Sequence, residues 1–308
     1  MVSRACFTFV VLALLASAVV RGEEYVGTGA TVGMSRNLRS VAMGGVSVGL
    51  PPPRRGAPSN AAALAFCEGR SIYSSAYTRF GAYNAGQIAV TLPHVAAWLD
   101  YVQVGDVPIT DEFGNISGQF AYRSCALSSA AGMRWSELPV LADAEGLRAL
   151  STSLRFTMLR DAFGDFGSGF GARLDLEMLI WARELPRALA FPEDLAVGLC
   201  IKNLLSHPMS FDSGHSEDWA STAEFGISAR LPFDLLIASD FSSDGTWRLG
   251  VEWSTTPSLE VRAGACGGAS PALSMGVGLA LGQSVVDAAL TWQRHLPSEL
   301  RVGFTYTW

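Results

Sequence analysis

The chain has little charge and no long apolar run. Charged residues make up 16% of its 308 residues, against about a quarter in an ordinary soluble protein. Its longest apolar stretch, Phe7–Val20, has 14 residues, short of the roughly 20 that a helix needs to cross a bilayer. A helical membrane protein is therefore excluded, although 49% of residues are hydrophobic and the mean hydropathy is +0.26. Patterns of chemistry are also missing. His94, His207, His215 and His295 are dispersed, with no pair four apart and no His-Glu-x-x-His, so no metal or cofactor is expected. No Ser/His/acid set can be assembled, and the chain reads as a non-enzyme. The Gly164–Gly171 tract lacks dinucleotide or phosphate-loop spacing and reads as a hairpin loop. Asp111-Glu-Phe-Gly-Asn115 lacks a calcium ligand series and reads as a turn.

What is there begins with Arg4, the apolar run, and small residues before Arg21-Gly-Glu-Glu24. That is a signal peptide over residues 1–22, with cleavage after Gly22. The remainder carries 20 basic and 28 acidic residues, a formal charge of −8. No basic patch remains to bind nucleic acid. Cys67, Cys125, Cys200 and Cys266 also remain. They are too widely spaced for a zinc site and allow three complete pairings, and they read as free thiols, because a chain this long needs no staples. An exported chain that is apolar overall is either a large secreted β protein or a transmembrane barrel. A barrel carries its apolar residues on alternate positions and so escapes a search for helical spans.

Alternation dominates the chain from residue 71. Leu300, Val302, Phe304, Tyr306 and Trp308 fall on one face of a strand, and Glu299, Arg301, Gly303, Thr305 and Thr307 on the other. Fourteen strands are predicted at about 71–80, 85–93, 95–104, 119–135, 151–160, 168–182, 195–203, 222–231, 233–241, 246–253, 257–265, 273–281, 284–293 and 299–308. An even count puts both termini on one side. The connections at 231–234, 254–257 and 281–284 are then short on that side, while 136–150 and 183–194 are long, with a short helix possible over Leu138–Leu150. Opposite them, 105–118, 161–167 and 204–221 read as long connections.

The two β options assign the faces oppositely. A lipocalin-like barrel turns apolar side chains inward, whereas a membrane barrel turns them to lipid. Fourteen strands favour the membrane barrel. Trp247, Trp253, Trp292, Phe304, Tyr306 and Trp308 are then expected to face outer-membrane lipid, and Arg248, Glu252, Arg262, Asp287 and Arg301 the lumen. The aromatic carboxy-terminal strand is the kind of signal read by the barrel-assembly machinery.

Residues 23–66 do not alternate. They hold Ser35-Arg-Asn-Leu-Arg-Ser-Val-Ala-Met-Gly-Gly-Val-Ser-Val-Gly49, then Pro51-Pro-Pro-Arg-Arg-Gly56, then Ser59-Asn-Ala-Ala-Ala-Leu-Ala65. Such a segment is either a plug inside the barrel or a disordered leader. An arginine-containing stretch, an Ala-Met-Gly-Gly-x-x-Val tract and an Asn-x-Ala-x-Leu tract precede the first strand. The matching positions are Arg39, Ala42, Met43, Gly44, Gly45, Val48, Asn60, Ala62 and Leu64. Later blocks at 195–203, 238–240, 249–252, 259–264 and 286–288 fit too. Together these resemble the PorV/PorQ-like branch of the FadL-type outer-membrane proteins, with Ala61 standing where the family motif has Pro.

The resemblance implies an all-β, fourteen-stranded barrel over 67–308 in the outer membrane of a diderm bacterium, with an amino-terminal hatch over 23–66. It implies uptake of hydrophobic small molecules, most of all long-chain fatty acids, by passive diffusion. A PorV-like adaptor for protein export or surface attachment is the alternative. The expected ligand-contacting residues of the hatch are Met34, Leu38, Val41, Met43, Val46, Asn60 and Leu64.

Overall fold

Period-2 sequences of eight or more residues, broken by Gly, Pro, Ser and Asp, fold into strands joined in sequence order. In the computed structural model the described residues are 37–79, 83–141, 144–185, 194–268, 270–294 and 296–308. The expected signal peptide and the first part of the expected hatch, Met34 included, lie outside them. A five-residue helix α1 (Leu38–Ala42) and a 3-10 turn (Ala61–Phe66) precede the sheet. The strands are β1 (Ser71–Arg79), β2 (Tyr83–Leu92), β3 (Val95–Thr110), β4 (Ile116–Arg134) and β5 (Leu150–Phe163). There follow β6 (Ser168–Trp181), β7 (Ala196–Phe211), β8 (Thr222–Leu231), β9 (Leu235–Ser242) and β10 (Trp247–Thr256). The last are β11 (Leu259–Gly267), β12 (Ala272–Leu281), β13 (Ser284–Gln293) and β14 (Leu296–Thr307).

All pairings are antiparallel between chain neighbours. The sheet closes because β1 pairs with β14, Ile72 opposite Tyr306 and Thr78 opposite Leu300. The result is a closed fourteen-stranded barrel, and each of its strands lies where alternation predicts one. Closure removes every free strand edge, which is what a sheet in hydrocarbon requires. Large apolar side chains cover the outside: Leu249, Val251, Val261, Val277, Val302 and the six predicted aromatics are all exposed. An apolar outer face of this extent belongs in lipid. The inward apolar arrangement of a lipocalin is therefore ruled out.

The wall is not of even height. Strands β3–β7 have 14–19 residues, while the others have 8–12. About 9–11 tilted residues cross a bilayer, so β3, β4 and β7 rise beyond it at the end opposite the termini, called here the far end. Two expectations are corrected. Residues 105–110 and 204–211, read as connections, continue β3 and β7. Bulges at Asp106 and Asn203, both at φ 54°, absorb the breaks in alternation that made these stretches look like loops. Among the described residues of 138–150 the only helical element is a 3-10 turn, Glu145–Ala149, and another, Trp135–Glu137, precedes that connection.

Candidate functional site

The inner wall is built to receive the segment 37–66. A Cβ on Gly250 or Gly264 would overlap the backbone of Met43, and one on Gly198 or Gly226 the backbone at Val48 and Gly49. Only glycine lets two backbones approach so closely. Gly44 itself sits at φ +72° against the backbone of Ala265 and Leu249, where a side chain would be strained and would clash.

Polar groups then fasten the segment on several sides. Asn37 caps α1 by accepting from the Ser40 amide at 2.7 Å, and its own amide donates to Ala57 O and Ser59 Oγ. Arg39 makes a two-pronged pair with Glu252 at 2.7 and 2.8 Å. Glu252 also accepts from Arg262 at 2.9 Å, and Arg262 reaches Asp287 at 2.6 Å and Glu260. Asp240 accepts from the amides of Ser47, Val48 and Gly49 at 2.6, 3.0 and 3.4 Å. Asn60 caps the 3-10 turn and donates to Val48 O at 2.7 Å. The Ala61 N–H donates to Glu177, which pairs with Arg155 at 3.0 Å. Beyond the turn, Cys67 is one of four free cysteines among the described residues, and burial pushes its thiol up to about 12.

The six described hatch residues expected to meet a ligand are all buried. Leu38, Val41 and Leu64 pack with Tyr73 and Trp98, while Met43 and Val46 pack with Leu236 and Ala238. Met43, Val46 and Leu64 are 0% exposed. These side chains fix the segment to the wall. The expected lumen charges are all on the inner face. Besides the Arg39 cluster, Arg248 meets Glu224 at 3.3 Å, which also accepts from Lys202 at 2.8 Å. Arg301 meets Glu299 and lies 3.8 Å over the Tyr77 ring. On the far side of the segment a chamber of about 350 Å³ is lined by Arg155, Arg173, Lys202, Glu224, Arg248 and Arg301. Ions and water suit such a space better than an acyl chain.

Apolar space lies farther up, inside the tall wall. Ile109, Phe120, Phe163, Phe166 and Phe211 line a vestibule of about 440 Å³ at the far end. Phe120 meets Phe166 edge-on at 5.5 Å, Phe163 lies 6.1 Å from Phe211, and His215 stacks on Phe211 at 5.9 Å. Met209, Leu159 and Ala126, with Trp219 against them, make a neighbouring apolar cluster. Sequence reasoning missed this site because Ile109, Phe163, Phe166 and Phe211 fall in stretches read as loops. The bulge at Asp106 keeps Ile109 on the inner face through its pairing with Gly118, and this shift cannot be read from alternation.

Gly45-Val-Ser-Val-Gly49 has the spacing of a hydrolase nucleophile elbow. An elbow needs a strand before it and a helix after it. Here α1 precedes and Pro51 follows, and Ser47 offers its backbone N–H to Asp240.

Solved structures share this architecture. The toluene transporter TodX of Pseudomonas putida superposes with a TM-score of 0.57 at 11% identity, covering 88% of this chain and 97% of its own. CymD, a monoaromatic hydrocarbon channel, gives 0.58 at 12%, covering 91% and 98%. The fold is that of the TodX-type outer-membrane barrel. It is the closed fourteen-stranded barrel expected from the alternation of the sequence. No protein-family model matches the chain, and no curated protein matches it.

Proposed function

We propose that this chain is an outer-membrane channel that admits hydrophobic small molecules by passive diffusion. The aromatic vestibule carries the reading. It offers about 440 Å³ of apolar space on the inner side of a closed barrel, at the end that faces outward if the termini are periplasmic. TodX and CymD, which share the fold, are a toluene transporter and a monoaromatic hydrocarbon channel. Long-chain fatty acids are the cargo expected from the sequence resemblance, and they are the first to compare with hydrocarbons. Export through residues 1–22, assembly through the carboxy-terminal strand and a diderm host complete the proposal.

The test is uptake by liposomes holding the purified full chain, with a hydrocarbon and a fatty acid as separate cargoes. Saturable uptake of either above empty liposomes supports the channel. A folded barrel with no uptake of either removes it. One observation favours the PorV-like adaptor instead: the lumen is occupied by residues 37–66, held by the buried Arg39–Glu252 pair and the amides bound to Asp240. A folded, non-transporting barrel is the outcome that reading requires.

A further inference from the structure

The hairpins around the vestibule carry charge of one sign. Residues 105–118 hold three carboxylates, 161–168 two and 212–221 three, and none of these stretches contains a lysine or arginine. Two of the acids reach the cavity itself. Asp212 lines it and accepts from the Ser168 amide at 2.7 Å and the Ser168 hydroxyl at 3.0 Å. These donors are uncharged, so they orient the carboxylate without neutralising it. Glu217 lines the same cavity and faces His215 at 3.5 Å. The rings supply the attraction for an apolar ligand, and a cavity of about 150 Å³ is enough for benzene. The vestibule's 440 Å³ therefore accommodates a molecule of two fused rings.

We propose that the vestibule and its acidic collar act as a charge filter, with Asp212 and Glu217 as specificity-determining residues. The site takes uncharged hydrophobic molecules of one or two rings and disfavours the same skeleton bearing a carboxylate. This rests on the channel reading and narrows it, because a free fatty acid at neutral pH carries the disfavoured charge. Screening confines strong repulsion to about 8 Å at physiological salt, so the two acids in the cavity wall dominate and the rest of the collar acts at low salt. At low salt, two carboxylates each about 8 Å from the charge of the ligand, in a water-like medium, together weaken its binding roughly fivefold; physiological salt reduces this to about twofold.

The test measures equilibrium binding of 2-naphthol and 2-naphthoate to the full chain in nanodiscs, with empty nanodiscs subtracted. The ratio of the two affinities is compared between the natural chain and the Asp212→Asn/Glu217→Gln variant, so the intrinsic difference between the ligands cancels. At low salt the preference for naphthol is expected to fall about fivefold in the variant, and to shrink in the natural chain as salt is raised. Phe166→Ser, at a ring 64% exposed, is expected to weaken both ligands alike. An unchanged ratio in the variant overturns the filter. Failure of both ligands to bind overturns it too, and liposome uptake of hydrocarbon then decides separately whether the channel reading stands.

Discussion

Ala61 shows how a single residue can be legible in sequence and opaque in role. The motif that this stretch resembles has Pro at this place, and the departure looks like a loss. In the fold the Ala61 N–H donates to the buried carboxylate of Glu177, a bond that proline cannot make. Ala61→Pro is therefore expected to destabilise the barrel by about 1–3 kcal/mol, the cost of leaving a buried acceptor short of a donor. Urea unfolding from lipid vesicles measures it, and a neutral result would mean that the Ala61 N–H contributes nothing to holding Glu177. Arg39 carries more. It meets Glu252 with both prongs, and both side chains are largely buried. Arg39→Leu leaves Glu252 with Arg262 alone, and a cost of about 3–5 kcal/mol is expected, as for breaking a buried pair. Hydrogen exchange should locate that loss in residues 38–50, with the strands unaffected. Motif reading found Arg39, Asn60 and Met43. Their contacts show them fastening the segment, and nothing in residue type alone separates that duty from holding a ligand.

Strands were the most legible elements, because period 2 is a direct consequence of which side of the wall meets lipid. The last strand shows it: Val302 stands opposite Ala76 and Ala288 and is 49% exposed, while Arg301 turns inward to Glu299. Val302→Arg is expected to cost about 2–4 kcal/mol of folding free energy in lipid, as for an arginine near the bilayer midplane. Arg301→Lys, which keeps a positive charge beside Glu299 on the inner face, should cost less than that. The reverse order in vesicle refolding would mean that the strand is paired one residue out of register. Bulges were not legible. Asp106 and Asn203 adopt positive φ, which Asn and Asp tolerate better than most residues, yet both types are just as common in ordinary turns. The extensions of β3 and β7, and with them the aromatic vestibule, stayed hidden for that reason.

At the scale of the molecule, the chain order makes one experiment clean. Residues 37–66 precede β1, and every barrel pairing lies among residues 71–307. Removing the segment deletes no strand and opens no edge. It exposes Asp240, Glu177 and Glu252 to a lumen that water can then fill. Glu177 keeps Arg155 and Glu252 keeps Arg262, so the charges left behind are paired or hydrated. The chain lacking 37–66 is therefore expected to fold and to keep the heat-sensitive gel migration of a closed barrel. It should also conduct ions in a planar bilayer where the full chain does not. The chamber above the segment is lined by five basic and four acidic side chains, so the new conductance should discriminate little between cations and anions. A folded variant that stays closed would move the barrier from the segment to the far end, where Trp219 packs against the Ala126, Leu159 and Met209 cluster. Trp219→Ala in the same background would then be the change that opens the pore.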